Sequence, residues 1–264
     1  IKIFGPEKFA AQLEGSKGFM KDLCKEYNIP TAIYERFNNE ESALSYLKTQ
    51  KTPIVIKADG LAAGKGVTVA EDPASAEQAV KEIFGGRFGS GMEVVIEEFM
   101  EGEEVSYFIC SDGKDFVSLV SAQDHKRIGE GDTGPNTGGM GAYSPAPIFT
   151  QEIQKQVDEK IIKPTLQAFQ DKGCPYKGIL YAGLMINNGI AKLVEYNIRF
   201  GDPECQVLMV RMKSDLVEMM LNSIDGTIKN TSLEWDDDHC ATVVMASNGY
   251  PGKFEKKTII KNLE

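Results

Sequence analysis

Two strand-like runs joined by a tight turn are the strongest structural signal in this chain. The apolar runs 179–186 and 190–196 flank Asn187-Asn188-Gly189, and an Asn-Gly pair between such runs favours the turn that joins antiparallel strands. Residues 54–70 contain a second pair of runs, joined by a loop with three glycines. The sequence therefore predicts antiparallel hairpins and, together with the helices described next, an α+β fold.

Helical periodicity and length divide the chain into more than one unit. A chain of 264 residues exceeds a single domain of ~150 residues. Apolar spacing predicts helices over about 16–27, 41–48, 150–169 and 214–224, and another that begins at Pro73. We expect a small α+β unit near 32–96, a larger region after it, and a last domain boundary at the acidic break 235–238, before 239–264.

Composition excludes several classes of function. The 29 lysines and arginines against 39 aspartates and glutamates give a net charge of -10, which disfavours non-specific binding to nucleic acid or to an anionic membrane. The five cysteines and two histidines lack the spacing of a zinc site, so any metal would take oxygen ligands, which favours Mg²⁺. No apolar run approaches the ~18 residues of a membrane span, and no signal peptide opens the chain, so we expect a cytoplasmic protein.

The glycine-rich loop 58–66 is a candidate phosphate-binding element. Its run Gly60-Leu61-Ala62-Ala63-Gly64-Lys65-Gly66 is one residue too short for a P-loop and has no Ser or Thr after the lysine. A glycine-rich loop between two strands can still direct backbone N–H groups and a lysine at phosphate oxygens, and Lys57 adds a second positive charge. A flexible surface hairpin explains this loop equally well when it is considered alone.

The segment 123–147 has the composition of a long polar loop. Residues 129–134 match GxGxxG in spelling, but they run into Pro135 and not into a helix, so the context of a dinucleotide-binding turn is missing. A loop of this length without apolar periodicity is typically functional or disordered. Composition does not separate these alternatives.

Five carboxylates lie on or just after the apolar strand that begins at Val94. Most such acidic runs are solvated surfaces. The functional alternative uses the strand backbone to hydrogen-bond the edge of a base, and one carboxylate to accept hydrogen bonds from ribose hydroxyls.

The run 193–204 carries the most informative polar pattern. Because strand side chains alternate between faces, Glu195, Asn197 and Arg199 would face the same way. Carboxylate and amide oxygens suit Mg²⁺, and an adjacent arginine can stabilise charge on a transferred phosphoryl group. An exposed strand face without function is an equally good interpretation of this run alone.

Taken in chain order, these segments resemble the ATP-grasp region of the phosphoribosylamine-glycine ligase family. The resemblance covers nearly the whole chain and is carried by residues 5–6 with 12–17, by 53–67, by 96–104, by 123–145 and by 195–204. Its most distinctive part is 131–145, which follows Gln123-Asp124-His125-Lys126-Arg127. Tyr196 and Ile198 stand where the family more often has Phe and Cys, and both alternate away from the proposed metal face.

The resemblance implies an ATP-grasp fold, with two α+β subdomains and ATP between them. The core subdomain would be formed by 1–31 and 97–238, the lid subdomain by 32–96, and 239–264 would begin a C-terminal domain. It also implies an ADP-forming ligase of purine biosynthesis that joins glycine to 5-phosphoribosylamine to give glycinamide ribonucleotide. The glycine carboxylate would attack the γ-phosphate of ATP, and the amine of phosphoribosylamine would then capture the resulting glycyl phosphate.

The resemblance further assigns roles to individual residues. Arg199, Lys57 and Asp124 would be catalytic, and Glu195 and Asn197 would bind Mg²⁺ or, in its place, Mn²⁺. ATP would be bound by Lys17, Lys57, Gly60, Gly64, Lys65, Gly66, Glu97, Glu98, Met100 and Glu104. The glycine and phosphoribosylamine pocket would be formed by Asp124, Asp132, Thr133, Gly134, Asn136, Gly138, Gly139, Met140, Asp202, Pro203 and Glu204.

Members of the family also have an N-terminal nucleotide-fold-like domain and a C-terminal domain, so the resemblance implies that this chain lacks the first and most of the second. We expect a monomer whose partners are small molecules. Two alternatives are an ATP-binding module that does not turn over by itself, and an ATP-grasp ligase for other substrates, such as a biotin-carboxylase-like enzyme.

Overall fold

The computed structural model of the chain describes residues 1–60, 66–131 and 133–261. Its helices are α1 (Gln12–Gly15), α2 (Lys17–Glu26), α3 (Glu40–Leu47), α4 (Pro73–Phe84), α5 (Gln151–Val157), α6 (Lys163–Asp171), α7 (Glu204–Arg211) and α8 (Leu216–Asp225). Its strands are β1 (Tyr34–Phe37), β2 (Ile54–Ala58), β3 (Val67–Ala70), β4 (Val94–Glu98), β5 (Glu103–Asp112), β6 (Phe116–Ser118), β7 (Gln123–Asp124), β8 (Arg127–Gly129), β9 (Thr133–Asn136), β10 (Gly141–Ser144), β11 (Lys177–Asn187), β12 (Ile190–Asn197) and β13 (Cys240–Val243).

The smaller α+β unit is a four-stranded antiparallel sheet in the order β1-β4-β2-β3, with α3 and α4 packed on it. The helix α4 begins where Pro73 predicts. The Asp72 side chain caps it by accepting a hydrogen bond from the Ser75 amide at 2.9 Å. One face of this helix is buried against the sheet, as its apolar spacing predicts, and the unit has a hydrophobic core of its own.

The larger unit is built on a second antiparallel sheet, in the order β12-β11-β5-β6. Alternate residues of its central strands point into different cores. Tyr107 and Leu180 face α2, α5 and α6, whereas Phe108 and Tyr181 face α7 and α8. This sheet is therefore covered by helices on both faces.

The predicted hairpin over 179–196 is confirmed. Asn187 of β11 pairs with Ile190 of β12. Asn188 and Gly189 both have positive φ, at 49° and 77°, as the favoured two-residue turn requires. Both strands extend slightly beyond the predicted runs.

The segment 123–147 is not a loop without secondary structure, so this prediction was wrong. It contains four short strands, β7 to β10, and β10 pairs with both β7 and β13. Its polar, glycine-rich sequence shows no strand pattern because the pairing of β10 comes from residues far away in sequence. Pairing of β13 with β10 also joins residues after 238 to this sheet. The division of the chain into subdomains stays a prediction.

Three short elements, α1, β1 and α7, were absent from the sequence interpretation. The helix predicted over 150–169 is present, although a π-helical turn, Asp158–Ile162, separates α5 from α6. All five cysteines are free. No helix in the described part of the chain is long and apolar enough to cross a membrane.

Candidate active site

One cleft between the two sheets contains most of the charged residues singled out by the sequence. Its volume is about 590 Å³, which is large enough for a small-molecule ligand. The smaller unit contributes β2, β3 and the end of β4 to its walls. The larger unit contributes α1, α2, β5, β11 and β12, together with β7 and the segment before α7.

Lys57 is buried at the wall of the cleft and is held by a carboxylate. Its Nζ lies 2.9 Å from Oε2 of Glu97, and Nζ of Lys21 lies 3.2 Å from the same oxygen. Oε1 of Glu97 has no hydrogen-bond partner among the described residues. Two ammonium groups thus face one carboxylate, and the surplus positive charge borders a cleft in which an anionic ligand can compensate it.

The first turn of α2 lies against the start of the glycine-rich loop. Asp59 accepts hydrogen bonds from the backbone N–H groups of Lys17 at 2.5 Å and Gly18 at 3.2 Å, and Nζ of Lys17 donates to the Gly60 carbonyl at 3.0 Å. Burial lowers the pKa of Lys17, against the opposing effect of the Glu195 carboxylate. Lys17 at the start of α2 and the start of the loop 58–66, which were both predicted to bind phosphate, therefore lie next to each other.

A β-bulge directs Glu195 into the cleft. Gly183 pairs with Glu195 but the next residue, Leu184, pairs with Leu193, so Val194 is an extra residue in β12. Because a bulge interrupts the alternation of a strand, Val194 and Glu195 both line the cleft while Leu193 is buried in the core.

After the bulge, the alternation predicted from the sequence resumes. Tyr196 borders the cleft, but its side chain is buried in the core, with its hydroxyl 2.5 Å from the Thr165 hydroxyl. Glu195 and Asn197 on either side of it line the cleft and are only partly buried. Arg199 follows the end of β12, and its Nη2 donates to Oδ1 of Asn197 at 3.2 Å. The carboxylate, the amide and the guanidinium thus lie along the same wall.

Arg199 is anchored by a carboxylate from near the start of the chain. Oε1 of Glu14 accepts from Nε of Arg199 at 3.0 Å, and Oε2 accepts from the backbone N–H of Ile198 at 3.0 Å. Nη1 of Arg199 also donates to the Phe200 carbonyl at 2.9 Å. Charge-assisted contacts of this kind hold the guanidinium in one orientation.

Asp124 and Lys126 reach the cleft from β7 and the turn after it. Nζ of Lys126 lies 2.6 Å from Oε1 of Glu104 and 3.9 Å from Oδ2 of Asp124. Burial raises the pKa of Asp124 to about 7, against the effect of Lys126 and with contributions from Glu204 and Glu104. Burial lowers the pKa of Lys126, but Glu104, Asp124 and Glu195 outweigh it and raise that pKa. At neutral pH Asp124 can therefore exchange a proton with a ligand, while Lys126 stays charged.

Glu204 is buried and held from two sides. Its Oε1 accepts hydrogen bonds from the Tyr181 hydroxyl at 2.8 Å and the Ser106 hydroxyl at 3.0 Å. A Cβ on Gly201 would collide with the Glu204 carboxylate in its present position, so the glycine lets this carboxylate lie against the backbone. Glu204 is therefore held in one orientation, close enough to Asp124 to affect the pKa of that residue.

The oxygen ligands on β12 fit a magnesium ion shared with phosphate. Glu195 and Asn197 supply a carboxylate and an amide oxygen, and within the described ranges no group of three or more His, Cys, Asp or Glu residues could hold a metal alone. Mg²⁺ is typically bound by one or two carboxylates and completes its shell with phosphate oxygens and water. Glu195 also lies close enough to Lys17 and Lys126 to affect their pKa values, so cationic groups for phosphate are nearby.

Most of the predicted site residues line this one cleft. They are Lys17, Lys57, Gly60, Gly66, Glu97, Glu98, Met100, Glu104, Asp124, Asn136, Gly138, Glu195, Asn197, Arg199, Asp202 and Glu204. Glu98 and Glu104 are among those that already have partners within the chain: Glu98 accepts from Lys192 at 3.1 Å, and Glu104 pairs with Lys126. Gly64, Lys65 and Asp132 lie outside the described residues.

Five predicted substrate residues, Thr133, Gly134, Gly139, Met140 and Pro203, do not line the cleft. Thr133 and Gly134 are exposed on β9. Gly139 has φ of 124°, and a Cβ there would collide with Cδ of Pro203, so these two residues pack against each other. A role for the five in substrate binding stays a prediction.

Three candidate functional residues were not identified from the sequence. Lys126 could have been found, because it stands in the distinctive run 123–127. Glu14 could also have been found, because it stands in the run 12–17 that carries the resemblance. Lys21 gave no local signal, since its partner Glu97 is distant in sequence.

Comparison with known proteins agrees with this architecture. A sequence profile of the family described as phosphoribosylglycinamide synthetase, ATP-grasp (A) domain, matches residues 15–205. The chain belongs to this family. The ATP-grasp fold that the resemblance implied is thereby confirmed, as is the membership itself.

Relatives of this ATP-grasp domain are named phosphoribosylamine-glycine ligases. The chloroplastic enzyme of Arabidopsis thaliana is 58% identical over 100% of this chain and 50% of its own length. The enzyme of Escherichia coli O6:H1 is 52% identical over 100% of this chain and 62% of its own length. The crystal structure of the Thermotoga maritima enzyme superposes with a TM-score of 0.89 at 38% identity, covering 96% of this chain and 64% of that one. The chain thus spans half to somewhat under two thirds of these relatives.

More distant structures share the fold alone. A biotin carboxylase from Campylobacter jejuni, solved as a β,γ-ATP complex, has a TM-score of 0.70 at 18% identity and covers 91% of this chain and 53% of that one. At this level of identity the likeness carries no information about substrate.

Proposed function

We propose that this chain is the ATP-grasp part of an ADP-forming ligase that joins glycine to 5-phosphoribosylamine in purine biosynthesis. Support comes from the matched family and from relatives of 52 to 58% identity that are named for this reaction. The observation that carries the proposal is the cleft, in which Lys57 on β2 and Lys17 on α2 border the same space as Glu195, Asn197 and Arg199.

ATP would lie between the two sheets. Lys17 and Lys57 would bind its phosphate oxygens, and the surplus positive charge of the cluster formed by Lys21, Lys57 and Glu97 favours an anion there. Glu195 and Asn197 would hold Mg²⁺, which when bound neutralises charge on the β- and γ-phosphates. The apolar residues that line the cleft, including Val55 and Met185, are suited to the adenine ring, with Glu97, Glu98 and Met100 bordering it and Glu104 near the ribose.

The chemistry would proceed in two transfers. A glycine carboxylate oxygen forms a bond to the γ-phosphorus while the bond to the ADP oxygen breaks, and Arg199 stabilises the charge on the phosphoryl oxygens. The amine of phosphoribosylamine then attacks the acyl carbon of the resulting glycyl phosphate, and inorganic phosphate leaves. The attacking amine loses one proton, which Asp124 is placed to accept because burial raises its pKa to about 7.

The activity of this chain by itself is a separate question, because it spans 50% to 62% of the curated relatives named above. We propose that it binds Mg-ATP but forms little or no glycinamide ribonucleotide, since ligation requires the acyl phosphate and the amine to be held in attack geometry. Ligation should be restored in the extended chain, by which we mean this chain joined to the regions that only the longer relatives contain.

The deciding experiment measures phosphate release from ATP, with phosphoribosylamine generated in place, with and without glycine. Release that requires both glycine and phosphoribosylamine in the extended chain supports the ligase. Nucleotide binding without release in the extended chain supports the ATP-binding module. Release driven by another carboxylate in place of glycine supports an ATP-grasp ligase for other substrates.

The finer parts of the proposal are Mg²⁺ in preference to Mn²⁺, a monomeric state, and a cytoplasmic location. The net charge of -10 supports small-molecule partners over nucleic acid or an anionic membrane. Light scattering coupled to size-exclusion chromatography tests the monomer, and metal titration of the nucleotide complex tests the choice of ion.

A further inference from the structure

We propose that Glu14 is a positioning residue for phosphoryl transfer, acting through Arg199 and the end of β12. Its carboxylate would hold the guanidinium and the backbone next to Asn197 in the arrangement that the transferred group requires. The inference rests on the proposed function, because Arg199 acts on a phosphoryl group only if the cleft binds ATP.

The two oxygens of Glu14 are both used, and by neighbouring residues. One accepts from Nε of Arg199 and the other from the backbone N–H of Ile198, each at 3.0 Å. The Glu14 side chain is 19% exposed, whereas that of Arg199 is 55% exposed. An arginine this exposed would sample many rotamers without an anchor, so the better buried carboxylate is the group that fixes its position.

The anchor uses Nε of Arg199 and leaves N–H groups on the two terminal nitrogens of the guanidinium. Nε faces Glu14, whereas with the described residues Nη1 and Nη2 each make one hydrogen bond, to the Phe200 carbonyl and to Oδ1 of Asn197. Each Nη nitrogen carries two N–H groups, so one on each stays available to a phosphoryl oxygen. Glu14 therefore orients Arg199 without occupying the donors that the chemistry needs.

Glu14 also connects this wall to the lysine side of the site. It stands in α1, three positions before Lys17, whose Nζ reaches the Gly60 carbonyl. One short segment thus carries both a phosphate-binding lysine and the anchor of the arginine. Supporting residues of this kind, which do not touch substrate themselves, typically change activity 10- to 100-fold when they are replaced.

The variant Glu14→Gln tests the idea with little change in size. Glutamine keeps one oxygen but turns an NH₂ group toward an N–H donor, so one of the two hydrogen bonds must break. The matched control is Glu26→Gln, which also removes a carboxylate from an ion pair, 2.8 Å from Nζ of Lys172. That pair does not line the cleft.

Two measurements separate positioning from a merely structural role. In this chain, NMR follows the Nε–H signal of Arg199, which is one of five arginines. The signal is assigned by its disappearance in Arg199→Lys. It should shift or exchange faster with solvent in Glu14→Gln and stay unchanged in Glu26→Gln. In the extended chain, kcat of Glu14→Gln should fall about 10- to 100-fold, while KM for ATP changes less than about threefold. Combining Glu14→Gln with Arg199→Ala should be no slower than Arg199→Ala alone.

The outcomes distinguish this inference from the proposed function. An extended wild-type chain that neither binds Mg-ATP nor releases phosphate refutes both. An active wild type, impaired by Arg199→Ala but not by Glu14→Gln, overturns the role of Glu14 and leaves the proposed function intact. Two further results would assign Glu14 to structure alone. One is a double variant whose loss of kcat is the product of the losses in Glu14→Gln and Arg199→Ala. The other is a Glu14→Gln variant in which Tm and kcat fall and KM for ATP rises together.

Discussion

Replacing Lys21 with methionine tests the buried charge cluster behind the cleft. The Lys21 side chain is 0% exposed, lies 3.2 Å from Oε2 of Glu97, and donates to the Thr31 hydroxyl at 2.7 Å. Methionine preserves most of the apolar volume of the lysine stem, so the change removes the charge and its hydrogen bonds and leaves no large cavity.

The expected loss follows from what remains around Glu97. Removing one partner of a buried ion pair costs about 3–5 kcal/mol when the other charge is left uncompensated. Here Lys57 still lies 2.9 Å from the same oxygen of Glu97, so we expect a smaller loss, about 2 kcal/mol, from the charge-assisted hydrogen bonds that Lys21 makes. For a chain of this size that corresponds to a fall of roughly 4–8 °C in Tm.

Urea unfolding followed by circular dichroism and differential scanning calorimetry measure this loss directly. The matched control is Lys163→Met, which removes the same charge from an exposed pair with Glu159, in which both side chains are more than half exposed. That change should cost less than about 1 kcal/mol. Equal losses in the two variants would refute the argument that burial of the Lys21 pair makes it stabilising.

Three further predictions concern the site. Asp124→Asn should flatten the dependence of the free energy of unfolding on pH. Folding raises the pKa of Asp124 from 3.8 to about 7, so the stabilising contribution of this residue in the wild type is fully present below pH ~4 and is lost as pH rises through ~7. The loss amounts to at most about 4 kcal/mol. Identical Tm profiles from pH 4 to 8 would contradict this. Glu195→Gln and Asn197→Ala should each lower ATP cleavage in the extended chain by more than about 100-fold without unfolding it; normal turnover would remove the metal assignment. Hydrogen exchange over 85–91 should slow on ATP binding, as expected of a lid over 32–96, and unchanged exchange would exclude closure. The same prediction for 60–66 falls mostly on residues 61–65, which lie outside the described residues.

Local sequence patterns predicted the parts of the fold that depend on local chemistry. The turn at Asn188-Gly189 and the Pro73 start of α4 follow from residues that permit few other conformations. The shared face of Glu195 and Asn197 follows from strand alternation, and the structure places both in the cleft.

The remaining features depend on contacts between distant residues. The extra residue at Val194 changes which side chains of β12 face the cleft, and nothing in its sequence marks a bulge. β10 is a strand because β7 and β13 pair with it, and its own residues, Gly141 to Ser144, give no strand pattern. The Glu14 and Arg199 pair joins residues 185 positions apart, so only the folded chain could reveal it.

A crystal structure of this chain with Mg²⁺ and a non-hydrolysable ATP analogue tests the central claim most directly. The account predicts the nucleotide in the cleft between the two sheets, with phosphate oxygens within hydrogen-bond distance of Nζ of Lys17 and Lys57, and a metal ion bound by Glu195 and Asn197. Arg199 should keep its contact with Glu14 and direct its Nη atoms at the γ-phosphate. A nucleotide bound elsewhere, or phosphates in the cleft with no metal at Glu195 and Asn197, would contradict the account.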